Sequence, residues 1–172
     1  MATNLEFIKS QDVINGSLTL EITDCFNANY DVYKVIFSGM ILSITNEHYP
    51  KFRFLDNTDT EISSANYDNA ALLLLASSAF QEYRVTGDTE FERLFIMGAT
   101  TTASGNCEMT VYNPFDSSSY TFINSMSADT YTLDGRKNIG VLKLAQSVTG
   151  FKLTNGSGYL MGSGTVSVYG VK

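Results

Sequence analysis

The chain has 172 residues, of which 44% are hydrophobic and 17% charged, with 18 acidic and 11 basic side chains. Its formal net charge of −7 repels phosphate backbones and anionic headgroups, which argues against binding to nucleic acid or to membranes. The length fits a single domain, residues 1–172, large enough to bury a core without disulfides or metal ions.

The first ten residues lack the basic start and apolar core of a signal peptide. The longest apolar run, residues 70–76, is far shorter than the roughly 18 residues that a membrane-spanning helix needs. We therefore expect the chain to be made and to stay soluble in a cytoplasm unless an assembly carries it elsewhere.

Alternation of apolar and polar residues, the signature of half-buried strands, recurs along the whole chain. In 33–44 the apolar phase shifts after Gly39, which predicts a β-bulge. The Ala- and Leu-rich run 66–83 is the best helix candidate, but its Ser-Ser pair and Tyr83 favour a strand buried on both faces. The predicted strands are 5–10, 17–23, 33–44, 49–56, 71–78, 91–97, 107–113, 119–126, 139–145, 148–154 and 164–170.

Turn-forming residues separate these runs, at 55–61, 86–90, 102–106, 112–119, 133–138 and 154–158. Asp134-Gly135 and Asn155-Gly156 are dipeptides that suit tight hairpins. Short strands that recur at a spacing of about 8–12 residues across one domain predict an all-β fold, a single-domain antiparallel β-sandwich that is jelly-roll-like. In such a fold we expect 5–10 to lie beside 164–170.

Residues capable of nucleophilic or metal chemistry are few. The single histidine, His48, lies between predicted strands, and the chain has no Gly-x-Ser-x-Gly elbow. Cys25 and Cys107 share no motif, and Cys107 alternates in phase with Met109 and Val111, which indicates a buried thiol.

Acidic residues raise two further possibilities. One turn contains three acidic residues, Asp56, Asp59 and Glu61. Because the residue order of an EF-hand loop is absent, we interpret it as an acidic hairpin tip. A calcium-stabilised turn is the alternative. Three glutamates fall in or next to predicted strands: Glu90, Glu92 and Glu108. If Glu92 and Glu108 faced one cleft, they could act as the paired carboxylates of a glycosidase.

A glycosidase cleft usually offers Trp for stacking on sugars, and this chain has none. The glycine-rich run 156–164 lacks the phosphate-loop pattern and is typical of hairpin turns. We therefore predict that the protein is not an enzyme, with no catalytic, cofactor-binding or metal-ligating residues and no cofactor.

Tyr and Phe concentrate at predicted strand starts and loop edges, as in "ANYDVY", "ANYDNA" and "NPFDSSSYTF". These aromatics suit ordinary core packing, and an exposed subset would suit a glycan or a partner subunit.

The stretch "YDVYKVIFSGMIL...FRFLDNTDTEISSANYDNA" (30–70) resembles small structural proteins of tailed bacteriophages, in which a Tyr-rich strand precedes an "RF-x-D" strand and a Ser/Thr turn. The segments "VYNPFDSSSYTF" (111–122) and "GTVSVYGVK" (164–172) resemble later parts of such proteins. The resemblance spans most of the chain and includes no catalytic residue. It implies a virion component with a jelly-roll-like β-fold.

From this resemblance we expect a virion structural protein that decorates the capsid and stabilises the assembled shell, with the major capsid protein or other virion subunits as partners. We expect a homo-oligomer, first a trimer, on the virion surface after synthesis in the host cytoplasm. The alternative is a receptor- or carbohydrate-binding protein of a tail fibre or tail tip, which would bind a host-surface glycan.

Overall fold

The computed structural model describes residues 4–43, 48–129, 134–156 and 158–172. Within these ranges the chain forms eleven strands and no α-helix, so the described part contains no helix able to cross a membrane. The strands are β1 (Leu5–Asp12), β2 (Thr19–Ile22), β3 (Val32–Leu42), β4 (Lys51–Leu55), β5 (Tyr67–Leu75), β6 (Gln81–Asp88), β7 (Gly105–Tyr112), β8 (Thr121–Asp129), β9 (Asp134–Leu142), β10 (Gly150–Thr154) and β11 (Met161–Val171).

The strands form two antiparallel sheets of very different size. The large sheet has eight strands in the order β1-β11-β3-β7-β8-β9-β5-β6, and the small sheet has three in the order β2-β10-β4. The predicted all-β antiparallel sandwich is confirmed. So is the jelly-roll-like placement of the terminal strands, because β1 pairs with β11 from Leu5 opposite Val171 to Asp12 opposite Thr165.

The predicted bulge at Gly39 is confirmed. Gly39 has φ of 63°, and the pairing of β3 with β7 shifts register between Phe37 and Met40. Positive φ costs glycine little, so the extra residue is accommodated and the apolar phase of β3 changes there without ending the strand.

The core lies between the small sheet and the strands β11, β3 and β7. Phe52 and Phe151 of the small sheet stack with ring centroids 5.1 Å apart, and Phe151 meets Phe37 of β3 at 6.1 Å. Val166 and Val168 of β11 are completely buried on the same side. Three strands are too few to cover eight, so the small sheet determines which part of the large sheet is sandwiched.

The strand predicted over 91–97 is wrong. Arg93 adopts a left-handed φ of 59°, and isolated bridges replace a continuous ladder. Residues 94–97 are buried consecutively, and Phe95 stacks on Phe37 at 4.9 Å. The segment is apolar because it lies in the interior beside the small sheet, where side chains that point in every direction are buried.

Three further predictions need correction. The strand over 71–78 exists as β5, but Leu72 on its outer side is 41% exposed, so burial on both faces is wrong. Asp134-Gly135 lies inside β9, opposite Leu75 and Leu74, and not in a turn. The predicted turn at 86–90 begins within β6, a strand absent from the predicted set, which brings the described strands to eleven.

Candidate binding surface

The outer face of the small sheet carries charges that satisfy one another. Glu61 accepts a hydrogen bond from Arg53 at 2.8 Å and pairs with Lys152 at 2.7 Å, while Lys152 also lies 3.3 Å from Glu21. The hydrogen bond from Lys152, followed by that from Arg53, lowers the pKa of Glu61 below its ordinary value. This face is polar, internally paired and typical of a surface in contact with water.

The outer face of the large sheet is different, because apolar side chains line up across its strands. The pairing registers place six apolar residues in one row across β1, β11, β3, β7, β8 and β9. Along this row lie Leu5, Val171, Val32, Tyr112, Phe122 and Val141. In the described part of the chain nothing covers this face, which we call the outer face.

Exposure is greatest in the half formed by β8, β9, β5 and β6. The exposed fractions are 62% for Ile139, 59% for Met126 and 44% for Phe122. A shallow groove of about 610 Å³ runs over these strands; most of its exposed surface is apolar, and its two charged lining residues are Asp68 and Arg84. Contiguous exposed apolar surface of this kind marks interaction sites in soluble proteins.

Over six of its eight strands the outer face is also neutral, in contrast to the acidic chain. Across β3, β7, β8, β9, β5 and β6 its outward charges are three basic and three acidic side chains. They are Lys34, Arg84, Lys137, Asp68, Glu82 and Glu108. Lys34 pairs with Glu108, and Lys143 pairs with Asp68 at 2.8 Å. A partner therefore meets little electrostatic repulsion here.

The dimensions of the outer face suit a protein partner. Eight strands spaced by about 4.8 Å make it about 34 Å wide, and strands of eight or nine residues make it about 26 Å long. The product, on the order of 900 Å², matches the roughly 800 Å² that each partner buries in a standard protein–protein interface.

His48 is not part of this surface. Its ring stacks on Tyr159 with centroids 4.1 Å apart, and its Nε2 accepts a hydrogen bond from the Gly156 amide at 3.2 Å. Burial, and secondarily the charge of Lys51, lowers its pKa. The imidazole is thus a half-buried packing group in the stretch between predicted strands.

The carboxylates of Asp56 and Glu61 in the acidic turn at 55–61 are engaged by hydrogen bonds and ion pairs within the protein. Oδ1 of Asp56 accepts hydrogen bonds from the amide and hydroxyl of Thr58, at 2.8 and 2.7 Å, and these bonds lower the Asp56 pKa. Glu61 is engaged by the basic residues of the small sheet, and Asp59 occupies a left-handed position with φ of 58°. Within the described ranges, no group of three His, Cys, Asp or Glu side chains is placed to hold a metal ion.

The three strand glutamates do not share a cleft. Glu108 projects from the outer face towards Lys34, whereas Glu92 accepts a hydrogen bond from Tyr83 at 3.3 Å on the inner side. Glu90 is almost fully buried and pairs with Arg53 at 2.6 Å. Glu92 and Glu108 therefore lie on opposite sides of the large sheet and cannot act together as the carboxylate pair of a glycosidase.

Both cysteines are buried and unpaired, which confirms the prediction for Cys107. Burial raises the pKa of Cys107 to about 12 and that of Cys25 even further. Neither thiol ionises near neutral pH, so neither is an activated nucleophile.

One buried charge escaped sequence reasoning. Arg136 is 2% exposed, lies 4.3 Å from the centre of the Tyr49 ring and donates to the Tyr49 hydroxyl at 2.8 Å. Burial lowers the pKa of Arg136. Arg93 also lies over the Tyr49 ring, at 5.5 Å, and over the Tyr83 ring at 4.7 Å. Because the guanidinium is enclosed, we assign it to packing at the end of the large sheet and not to ligand binding.

The sequence matches no family model and no curated protein. The features that bear on function are therefore the geometry of the outer face and the resemblance of residues 30–70, 111–122 and 164–172 to phage structural proteins.

Proposed function

We propose that this protein is a bacteriophage virion structural protein that decorates the capsid and stabilises the assembled shell by binding it through the outer face. The observation that carries the proposal is the uncovered apolar row and groove on a sheet whose opposite side packs against the small sheet at β11, β3 and β7. Binding that requires the assembled shell favours the assembled state by mass action.

The composition of the groove favours a protein partner over a glycan. Saccharides require several free polar groups to bind their hydroxyls. The apolar lining includes Phe122, Ile139 and Val141, and two of the polar side chains are already engaged, Asp68 by Lys143 and Asn124 by Tyr112. The tail-fibre or tail-tip adhesin remains the second candidate because two aromatics, Tyr112 and Phe122, line the same groove and offer stacking surfaces for sugar rings.

The experiment compares two isoleucine substitutions in add-back to particles that lack the protein. Ile139→Asp places a charge in the groove, and Ile14→Asp is the matched control, since Ile14 is 70% exposed in the β1–β2 connection and outside the groove. Circular dichroism first verifies that both variants keep the fold of the unaltered chain.

We expect wild type and Ile14→Asp to sediment with the particles and to raise the temperature at which they release their genome. Ile139→Asp should do neither, because binding would bury its carboxylate without a partner. Undiminished binding by Ile139→Asp would contradict the proposal. If particles without the protein keep their physical stability and lose only attachment to host cells, the adhesin alternative is correct.

A further inference from the structure

Strand β6 forms an open edge of the large sheet. It pairs with β5 on one side, and in the described ranges no strand pairs with its other side. The opposite edge is tied to the small sheet, because Nζ of Lys9 in β1 donates to the carbonyl of Thr23 at 2.8 Å. The unpaired backbone groups of β6 are thus available to another strand.

The side chains of β6 specify which strand fits. Glu82 and Arg84 are both exposed and both project from the outer face, opposite Leu72 and Ala70 of β5. A two-fold axis perpendicular to the sheet keeps each face on its own side, so outward residues of one β6 meet outward residues of a second copy.

Only one such register joins opposite charges. With the axis at Tyr83, Glu82 of each copy lies opposite Arg84 of the other, so that the pair forms twice. An axis at Glu82 or Arg84 sets like charges opposite each other. Asp88 pairs with the inward Tyr67 beyond the register shift of β6, so the outward charges of this strand are Glu82 and Arg84. Opposite charges directly across an antiparallel pair are stabilising, and like charges are destabilising.

We propose that two copies of this chain pair through antiparallel β6 strands centred on Tyr83, which joins their large sheets into one sheet of sixteen strands. The two grooves then border the joint, because Arg84 and Val85 of β6 line each groove. Two linked outer faces bind a repetitive surface with greater avidity than one. Where the sequence led us to expect a trimer, the pairing of β6 favours a two-fold dimer, which forms in the free protein before any shell is bound.

The test is a charge swap read out as molar mass by light scattering and sedimentation equilibrium. Glu82→Arg and Arg84→Glu each place like charges opposite each other twice and should weaken the dimer by about tenfold or more. The double variant Glu82→Arg/Arg84→Glu restores opposite charges and should restore the dimer. Lys137→Glu is the control, since Lys137 lies on the same face but two strands from the edge.

A wild-type chain that is a monomer or a trimer overturns the proposal. So does a double variant that remains as dissociated as the single variants, because the register requires rescue. Shell binding is measured separately with Ile139→Asp, so failure of the dimer and failure of the proposed function give different results.

Discussion

Substitution of Val168 by Ala tests how strongly β11 holds the sandwich together. Val168 is completely buried on the inner side of a strand that lies between β1 and β3. Losing two buried methyl groups costs about 1.6 kcal/mol at roughly 0.8 kcal/mol for each carbon. The cavity that remains raises the expected loss to about 2–3 kcal/mol.

The same reasoning scales to larger changes. Val166 is equally buried and two residues away, so Val166→Ala/Val168→Ala should cost about 4–6 kcal/mol, with some coupling between neighbours. Deleting 165–172 removes both valines and much of the pairing to β1 and β3. Because a domain's total stability is about 5–15 kcal/mol, the truncated chain should be insoluble or poorly folded.

Urea unfolding followed by circular dichroism measures these losses. With a slope of about 2 kcal/mol/M, Val168→Ala should lower the midpoint by about 1 M and leave the slope unchanged. Ser167→Ala, on the outer side of the same strand, is the control and should change stability by less than about 0.5 kcal/mol. A loss below about 0.5 kcal/mol for Val168→Ala, or a truncated chain with the wild-type midpoint, would refute the reasoning.

Three other substitutions test separate parts of the structure by the same unfolding assay. His48→Ala should leave folding intact and cost about 1 kcal/mol of stability through lost stacking on Tyr159. Because burial lowers the His48 pKa, the stability difference between wild type and variant should shrink as pH falls below about 6.5. A difference that grows instead would contradict this. Glu61→Gln should cost about 1 kcal/mol of stability at pH 7. Since Lys152 and Arg53 lower the Glu61 pKa, the stability difference between wild type and variant should disappear as pH falls below about 4.5. A pH-independent difference would exclude the ion pairs as its cause. Gly140→Ala should cost about 1–3 kcal/mol, because the new methyl would lie 2.7 Å from Phe91 Cε1, and an unchanged stability would show that the ring moves freely.

Local alternation was enough to predict most strands. The phase shift at Gly39 and the neighbouring positions of 5–10 and 164–170 follow from patterns within single strands and from the expected fold. Alternation failed at 91–97, where burial comes from several directions at once, and at Leu72, where apolarity does not correspond to burial.

The candidate surface was harder to predict for a physical reason. An apolar residue on a strand indicates burial in the usual case, and whether a face is covered depends on how many strands the second sheet contains. The aromatic-rich segment ending in Phe122 was the one signal, and it was equally consistent with core packing. In the structure Tyr33 and Tyr67 are buried in the core, whereas Phe122 is 44% exposed on the outer face.

Electron cryomicroscopy of phage particles that contain this chain tests the central claim most directly. The account predicts density for the protein on the capsid surface, with the outer face of the large sheet turned towards the shell and Ile139 and Phe122 at the contact. Density at the tail tip, or a capsid contact made by the charged face of the small sheet around Lys152 and Glu61, would contradict it.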